Sequence, residues 1–181
     1  IYSLRRTIID GEDSRELILE SFQATIEEVV QRFIPSEGGK PADISGLVAY
    51  FQTRFDYDLA PLTEQLARLS QNETVEFLQT RLLEAYLDKE TKVGAVQLRH
   101  LERMFLLHTI DTKWKEHLYA MDHLRDAMGL RALGQRDPLV EYKREGYLMF
   151  REMYESIHID VAEMIFKLHP VEEEQRVRSV F

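Results

Sequence analysis

From about residue 93 to 129 the chain contains no proline, and its only glycines in that run, Gly94 and Gly129, sit at the ends. Leu107, Ile110, Trp114, Leu118, Met121, Leu124 and Met128 recur there at intervals of three and four, which is the period of one helix face. A helix of that span is about 50 Å long, unusual for a globular helix and suited to a structural member. Asp137 and Pro138 then restart the pattern. Asp is a good N-cap, and Pro at the first helical position loses nothing, because its missing N–H has no partner there. Tyr147, Phe150, Tyr154, Ile157, Val161, Met164 and Leu168 follow at spacings of 3, 4, 3, 4, 3 and 4, a heptad seam, and Pro170 ends it. About eight residues separate the two long helices, so the pattern predicts an antiparallel hairpin.

Residues 10 to 90 read differently. Leu17, Ile18, Phe22, Ile26, Val29, Val30 and Phe33 predict an amphipathic helix over about 13–33, with Asp13 and Glu16 at capping-box spacing. "IPSEGGKPAD" is a loop. Leu47, Tyr50, Phe51 and Phe55 mark a short helix, and another is expected over about 62–69. Ser70 and Glu73 again have capping-box spacing, and Val75, Leu78, Leu82, Leu83, Tyr86 and Leu87 continue as helix. "IYSLRRTII" reads as the end of a helix, and "VEEEQRVRSVF" as a tail. With no convincing strand signal, the expectation is an all-α fold, a small helical bundle followed by a long hairpin.

The chain is 44% apolar and 30% charged, so it can bury a core. It has no cysteine, which excludes disulfides and thiolate metal sites and fits a reducing compartment. No apolar run is long enough to span a bilayer, no signal peptide is visible, and the first residue is Ile1, which reads as a piece of a longer chain. The net charge of −9 is uneven: residues 10–90 carry 7 Lys/Arg and 17 Asp/Glu, residues 91–181 carry 14 and 15. An acidic first half argues against nucleic-acid binding and reads otherwise as a solvated surface.

Few residue groups suggest chemistry. "SEGGKPAD" has Gly-Gly-Lys without the spacing or hydroxyl of a phosphate-cradling loop. His100, His108, His117 and His123 are 8, 9 and 6 apart and do not share a face at ligand distance. Glu155 and His158 form one Glu-x-x-His, where a di-iron bundle needs two, so a bundle metalloenzyme is the weakest alternative. No nucleophile-base arrangement stands out, and no catalytic, metal or cofactor residue is assigned. Asp111 and Lys115, four apart, can form a helix ion pair. Trp114 lies in the apolar stripe, as core or as an anchor against a neighbouring domain.

The turn between the long helices carries Arg131 and Arg136 and no acid. Leu133 is apolar where water should be preferred. Such a turn either packs on its own helices or touches another polypeptide.

The run "IDTKWKEHLYAMDHLRDAMGLRALGQRDPLVEYKREGYLMF" resembles a signature of SecA, the bacterial motor ATPase that drives preproteins through the SecY channel. "WKEHL", "MDHLR", "GLR", "QRDP" and "EYKRE" stand in that family's order, and "IYSLRR" before an acidic helical segment is similar to the stretch preceding its helical wing. The resemblance implies a C-terminal fragment: residues 1–9 the end of a scaffold helix, 10–90 the helical wing domain, 91–169 the two-helix finger of the helical scaffold, and 170–181 a tail or linker.

By that resemblance Arg131, Ala132, Leu133, Gly134, Gln135 and Arg136 form the fingertip that contacts preprotein and channel, and Trp114, Asp111 and Lys115 serve interdomain regulation. The family's tip commonly has glycine and an aromatic residue where this chain has Ala132 and Leu133. The implied partners are other SecA domains, the SecY channel and the translocating preprotein, in the bacterial cytoplasm and at the cytoplasmic face of the inner membrane. ATP and magnesium belong to domains outside this chain, so this segment is expected to be non-catalytic. The alternative is a stand-alone interaction module that forms a homodimer through the heptad seam. Leu133 separates the two readings, since such a module has no need of it.

Overall fold

The computed structural model describes residues 1–10, 14–35, 41–131 and 137–168. They form α1 (Tyr2–Asp10), α2 (Ser14–Phe33), α3 (Ile44–Phe55), a 3-10 turn (Ala60–Leu62), α4 (Thr63–Leu66), α5 (Gln71–Val93), α6 (Ala95–Arg131) and α7 (Pro138–Phe166). Among the described residues there is no strand, and the fold is all-α.

The ends follow local chemistry. The Asp43 side chain accepts from Gly46 N at 2.8 Å and caps α3. Asp56 closes α3 in the left-handed region at φ 50, which a short polar side chain tolerates better than most. The expected box at Ser70 is present: its hydroxyl accepts from Glu73 N, and Glu73 Oε2 accepts from Ser70 N at 2.8 Å. Asp137 caps α7 by accepting from Leu139 N at 2.9 Å, with Pro138 following. A single residue, Gly94 at φ 90, separates α5 from α6; a side chain there would meet open space, so glycine serves the backbone conformation rather than close packing. The helix expected over 62–69 is shorter. Pro61 lies in a 3-10 turn that begins at Ala60, α4 ends at Leu66, and the bonds Arg68 N→Gln65 O and Leu69 N→Leu66 O tighten the chain before Ser70 caps α5. Asp13, half of the other expected capping box, lies outside the described residues.

The long helices form the expected antiparallel hairpin. Thr109 meets Met164, Lys113 meets Asp160 at 2.8 Å, and Met121 lies against Gly146, so α7 numbers fall as α6 numbers rise. At 37 residues α6 is about 55 Å long.

The seam differs from the heptad reading. Ile157 and Val161 are buried and Met164 and Leu168 half-buried, but Tyr147, Phe150 and Tyr154 are 65%, 38% and 41% exposed. Gly146 and Met153 are buried in their stead. On α6, Leu118 is 46% exposed and His117 takes the buried place. A stripe spaced every 3.5 residues turns by about 20° per heptad around a helix of 3.6 residues per turn, so a stripe that faces inward at one end swings out at the other. The buried half of the seam is spent inside the chain, while Tyr147, Phe150 and Tyr154 stay on the surface.

The core is continuous across the long helices and the segment before them. Ile18, Phe22, Ile26, Leu78 and Tyr86 join Leu98, Ile110, Ile157, Val161 and Phe166 in one buried cluster. α2 stands between α5 and α7: Phe22 touches Tyr86 at 5.6 Å and Phe166 at 4.9 Å between ring centroids. Polar ties reinforce this base. Arg54 of α3 reaches Glu163 at 2.9 Å, and Lys89 of α5 donates to Phe166 O and Leu168 O, the open carbonyls at the end of α7.

Candidate functional site

Of the expected contact residues, Ala132, Leu133, Gly134, Gln135 and Arg136 lie outside the described residues, and Arg131 is placed only as the last residue of α6. Their support is described: one long helix leads to them, and a Pro-started, Asp-capped helix leaves them.

Trp114 and Asp111 come together on the face of α6 where α1 packs. The Arg5 guanidinium donates to both oxygens of Asp111, from Nε at 2.9 Å and from Nη2 at 3.4 Å. The expected Asp111–Lys115 pair is therefore not what forms: Lys115 is exposed, and its supposed carboxylate is held from α1. The guanidinium fork matches a carboxylate in a way a single ammonium does not. Tyr2 packs edge-on to Trp114 at 6.0 Å and an interplanar angle of 77°. Trp114 is half-buried, and its indole Nε1 is buried with no acceptor among the described residues. Its contact with α1 agrees with both readings of this residue, core and anchor.

A chain of rings continues from there. Trp114 stacks on His117 at 5.5 Å, His117 meets the edge of Phe150 at 5.8 Å, Phe150 lies beside Tyr154, and Tyr154 meets His158 at 4.8 Å. His158 Nδ1 lies 3.0 Å from Ser21 Oγ, whose hydroxyl donates to Leu17 O at 2.7 Å. With that hydrogen committed, Ser21 Oγ accepts from Nδ1–H, which fixes the tautomer of a neutral imidazole. Burial lowers the pKa of both His117 and His158, with Glu20 partly opposing the shift at His158. This ladder connects α1, α6, α7 and α2.

A second polar cluster was not read from the sequence. Glu102 is fully buried; Tyr86 OH donates to its Oε1 at 2.7 Å, and Arg99 Nη1 lies 3.1 Å from its Oε2 in ion-pair contact. Arg99 also reaches Glu90 at 2.6 Å and lies over the Tyr86 ring. Burial raises the pKa of Glu102, against the pull of its partners, and raises that of Tyr86. The sequence did hold a signal: Leu98, Glu102, Leu106 and Ile110 are four apart on one line, with an acid inside an apolar row.

This arrangement can carry force and set an angle between helices. Among the described residues no group of three or more His, Asp or Glu is placed to hold a metal ion, and His100, His108 and His123 are exposed. No described helix is long and apolar enough to cross a membrane.

The comparisons with known proteins agree with the architecture. The model of the SecA Wing and Scaffold domain matches residues 1–169. The protein translocase subunit SecA of Pelotomaculum thermopropionicum is 41% identical over 181 residues, 99% of this chain and 20% of that protein. SecA of Thermosynechococcus vestitus is 42% identical over 94% of this chain and 19% of its own length. SecA of Thermodesulfovibrio yellowstonii is 37% identical over 97% and 19%. The chain thus spans about a fifth of the length of these relatives. With a family match over nearly its whole length and these identities, the chain belongs to the SecA Wing and Scaffold domain family.

Proposed function

We propose that this chain is the scaffold, regulatory and preprotein-contacting segment of a SecA-type translocase, which drives ATP-dependent passage of preproteins through the SecY channel from the cytoplasmic face of the inner membrane. Its own part is non-catalytic. It transmits movement from nucleotide-binding domains elsewhere in the parent, which would hold ATP and magnesium, to the turn at residues 131–136.

The observation that carries this reading is the shape of the hairpin. Its base is built into a core shared by α2, α5, α6 and α7. Past Trp114, the last α6 residue in ring contact with α1, the 17 residues to Arg131 extend about 25 Å further. A helix pair anchored at one end delivers a small rotation at its base as a larger displacement at its tip. The Arg5–Asp111 and Tyr2–Trp114 contacts sit at the fulcrum, which suits Trp114 and Asp111 to an interdomain regulatory role and leaves exposed Lys115 available to another domain.

Site-specific photo-crosslinking tests this. A probe at position 133 is placed in the full-length parent, stalled with a preprotein halfway through the channel. Crosslinks to the preprotein that vanish when the probe moves to the exposed Glu152 are expected. Crosslinks from 133 only to the motor itself, or none, would reduce the turn to a helix connection and end the contact role.

A further inference from the structure

The six methionines are unevenly distributed. Met104 is 48% exposed on the outer face of α6. Met128 and Met153 are buried, and Met121, Met149 and Met164 half-buried. Four of the five, all but Met164, belong to the outer half of the hairpin, beyond Trp114 and before Tyr154. The chain has no cysteine, so thioethers are its only sulfur groups.

Two methionines have a special setting. A Cβ placed on Gly146 would stand 2.9 Å from Met121 Cε and 3.4 Å from its Sδ, so the flexible thioether fills the place where α7 has no side chain. Met149 and Met153 line, with His117 and Ala120, a groove of about 280 Å³ that opens to solvent between the helices. A small oxidant can reach sulfur there without unfolding the base.

We propose that Met121 and Met149 form an oxidative modification site whose conversion to sulfoxide opens the outer half of the hairpin. The oxidant is a peroxide: one oxygen of hydrogen peroxide is transferred to the thioether, the O–O bond breaks, the S–O bond forms, and water leaves. The sulfur is oxidised and the peroxide reduced. The product adds a strong acceptor to a seam with few spare donors. Helix N–H groups are already bonded along the ladder, and the Ser156 hydroxyl donates to Met153 O. An oxygen added to Met121 Sδ, packed where Gly146 has no side chain, needs room as well as a donor, and both come when the helices part and admit water. Met164, at the base, sits where α2 and α3 also hold α7, so the same lesion there leaves the helices packed.

The test treats the full chain with graded hydrogen peroxide, locates sulfoxides by peptide mass spectrometry and follows amide hydrogen exchange. Sulfoxide at Met121 and Met149 is expected to coincide with exchange about tenfold faster or more over residues 117–128 and 142–153, and unchanged over 98–110. The volume-conserving double variant Met121→Leu/Met149→Leu keeps the fold and removes the response; Met104→Leu does not. Unchanged outer exchange with both residues oxidised would overturn the proposal. So would faster exchange persisting in the double variant, or oxidation confined to Met104.

Discussion

The same two helices behave as different materials along their length. Near the base, α6 and α7 contribute Leu98, Leu106, Ile110, Ile157, Val161, Ile165 and Phe166 to a core that α2, α3 and α5 complete. Beyond Trp114 each has chiefly the other, and the buried places fall to His117, Leu124, Met128, Gly146 and Met153. Branched and aromatic side chains lock into one packing, whereas methionine refits at low cost. The comparison teaches how a lever is divided: continuous helices supply stiffness along the arm, and the many-sided core supplies a fixed base.

The sharpest way to break the comparison is at the base. Phe166 touches Phe22, Phe55 and Tyr57, so Phe166→Ala is expected to cost about 4 kcal/mol in a urea melt, the usual range for a buried aromatic. A loss under about 1 kcal/mol would mean that the base is no tighter than the arm. Next is Glu102→Ala, which strands Tyr86 OH and takes one of two carboxylates from Arg99; it is expected to cost about 3 kcal/mol, with Glu102→Met less harmful because it fills the space. Near-neutral Glu102→Ala with costly Glu102→Met would contradict that account.

Acid provides a smaller, signed effect. Burial lowers the pKa of His158 below 6.5, so the folded chain binds fewer protons there than the unfolded one. The stability it contributes is present above pH 6.5 and is lost as pH falls through 6.5 toward the lowered value. His158→Gln, which retains a donor for Ser21, should flatten the slope of melting temperature against pH between about 7.5 and 5.5. An unchanged slope would remove His158 from the explanation. Glu102 has the opposite sign: its raised pKa means that its share of stability falls as pH rises from 4.5 through the raised value.

The smallest effect is expected in the arm. Gly146→Ala gains about 1 kcal/mol of helix propensity and forces Met121 Cε to move, which a flexible end can do. A net change within about 1 kcal/mol fits an adaptable seam; a loss of several kcal/mol would show the arm to be as tightly packed as the base.

Most of the fold was legible because helix signals are local. The 3.6-residue period, Ser70 with Glu73, and Asp137 before Pro138 act within a few positions of themselves. What escaped depended on distant partners. Asp111 is paired 106 positions away with Arg5, beyond the reach of any i,i+4 rule. Tyr147, Phe150 and Tyr154 fitted a heptad, but the facing helix decides which residue is inward, and it offered Met121 to Gly146. Glu102 sits in an apolar row with Arg99 three positions before it, yet Tyr86 arriving from α5 is what completes the hold on its carboxylate. The turn at 131–136 stood out through Leu133 between two arginines, and residues 132–136 lie outside the described residues.

Native-state hydrogen exchange of the untreated chain tests the division most directly. The account predicts that amides over residues 98–110 and 157–166 exchange only through global unfolding, while those over 117–128 and 142–153 exchange through a separate opening at least about tenfold more often. Equal protection along both helices would contradict it and make the hairpin one uniform body from base to tip.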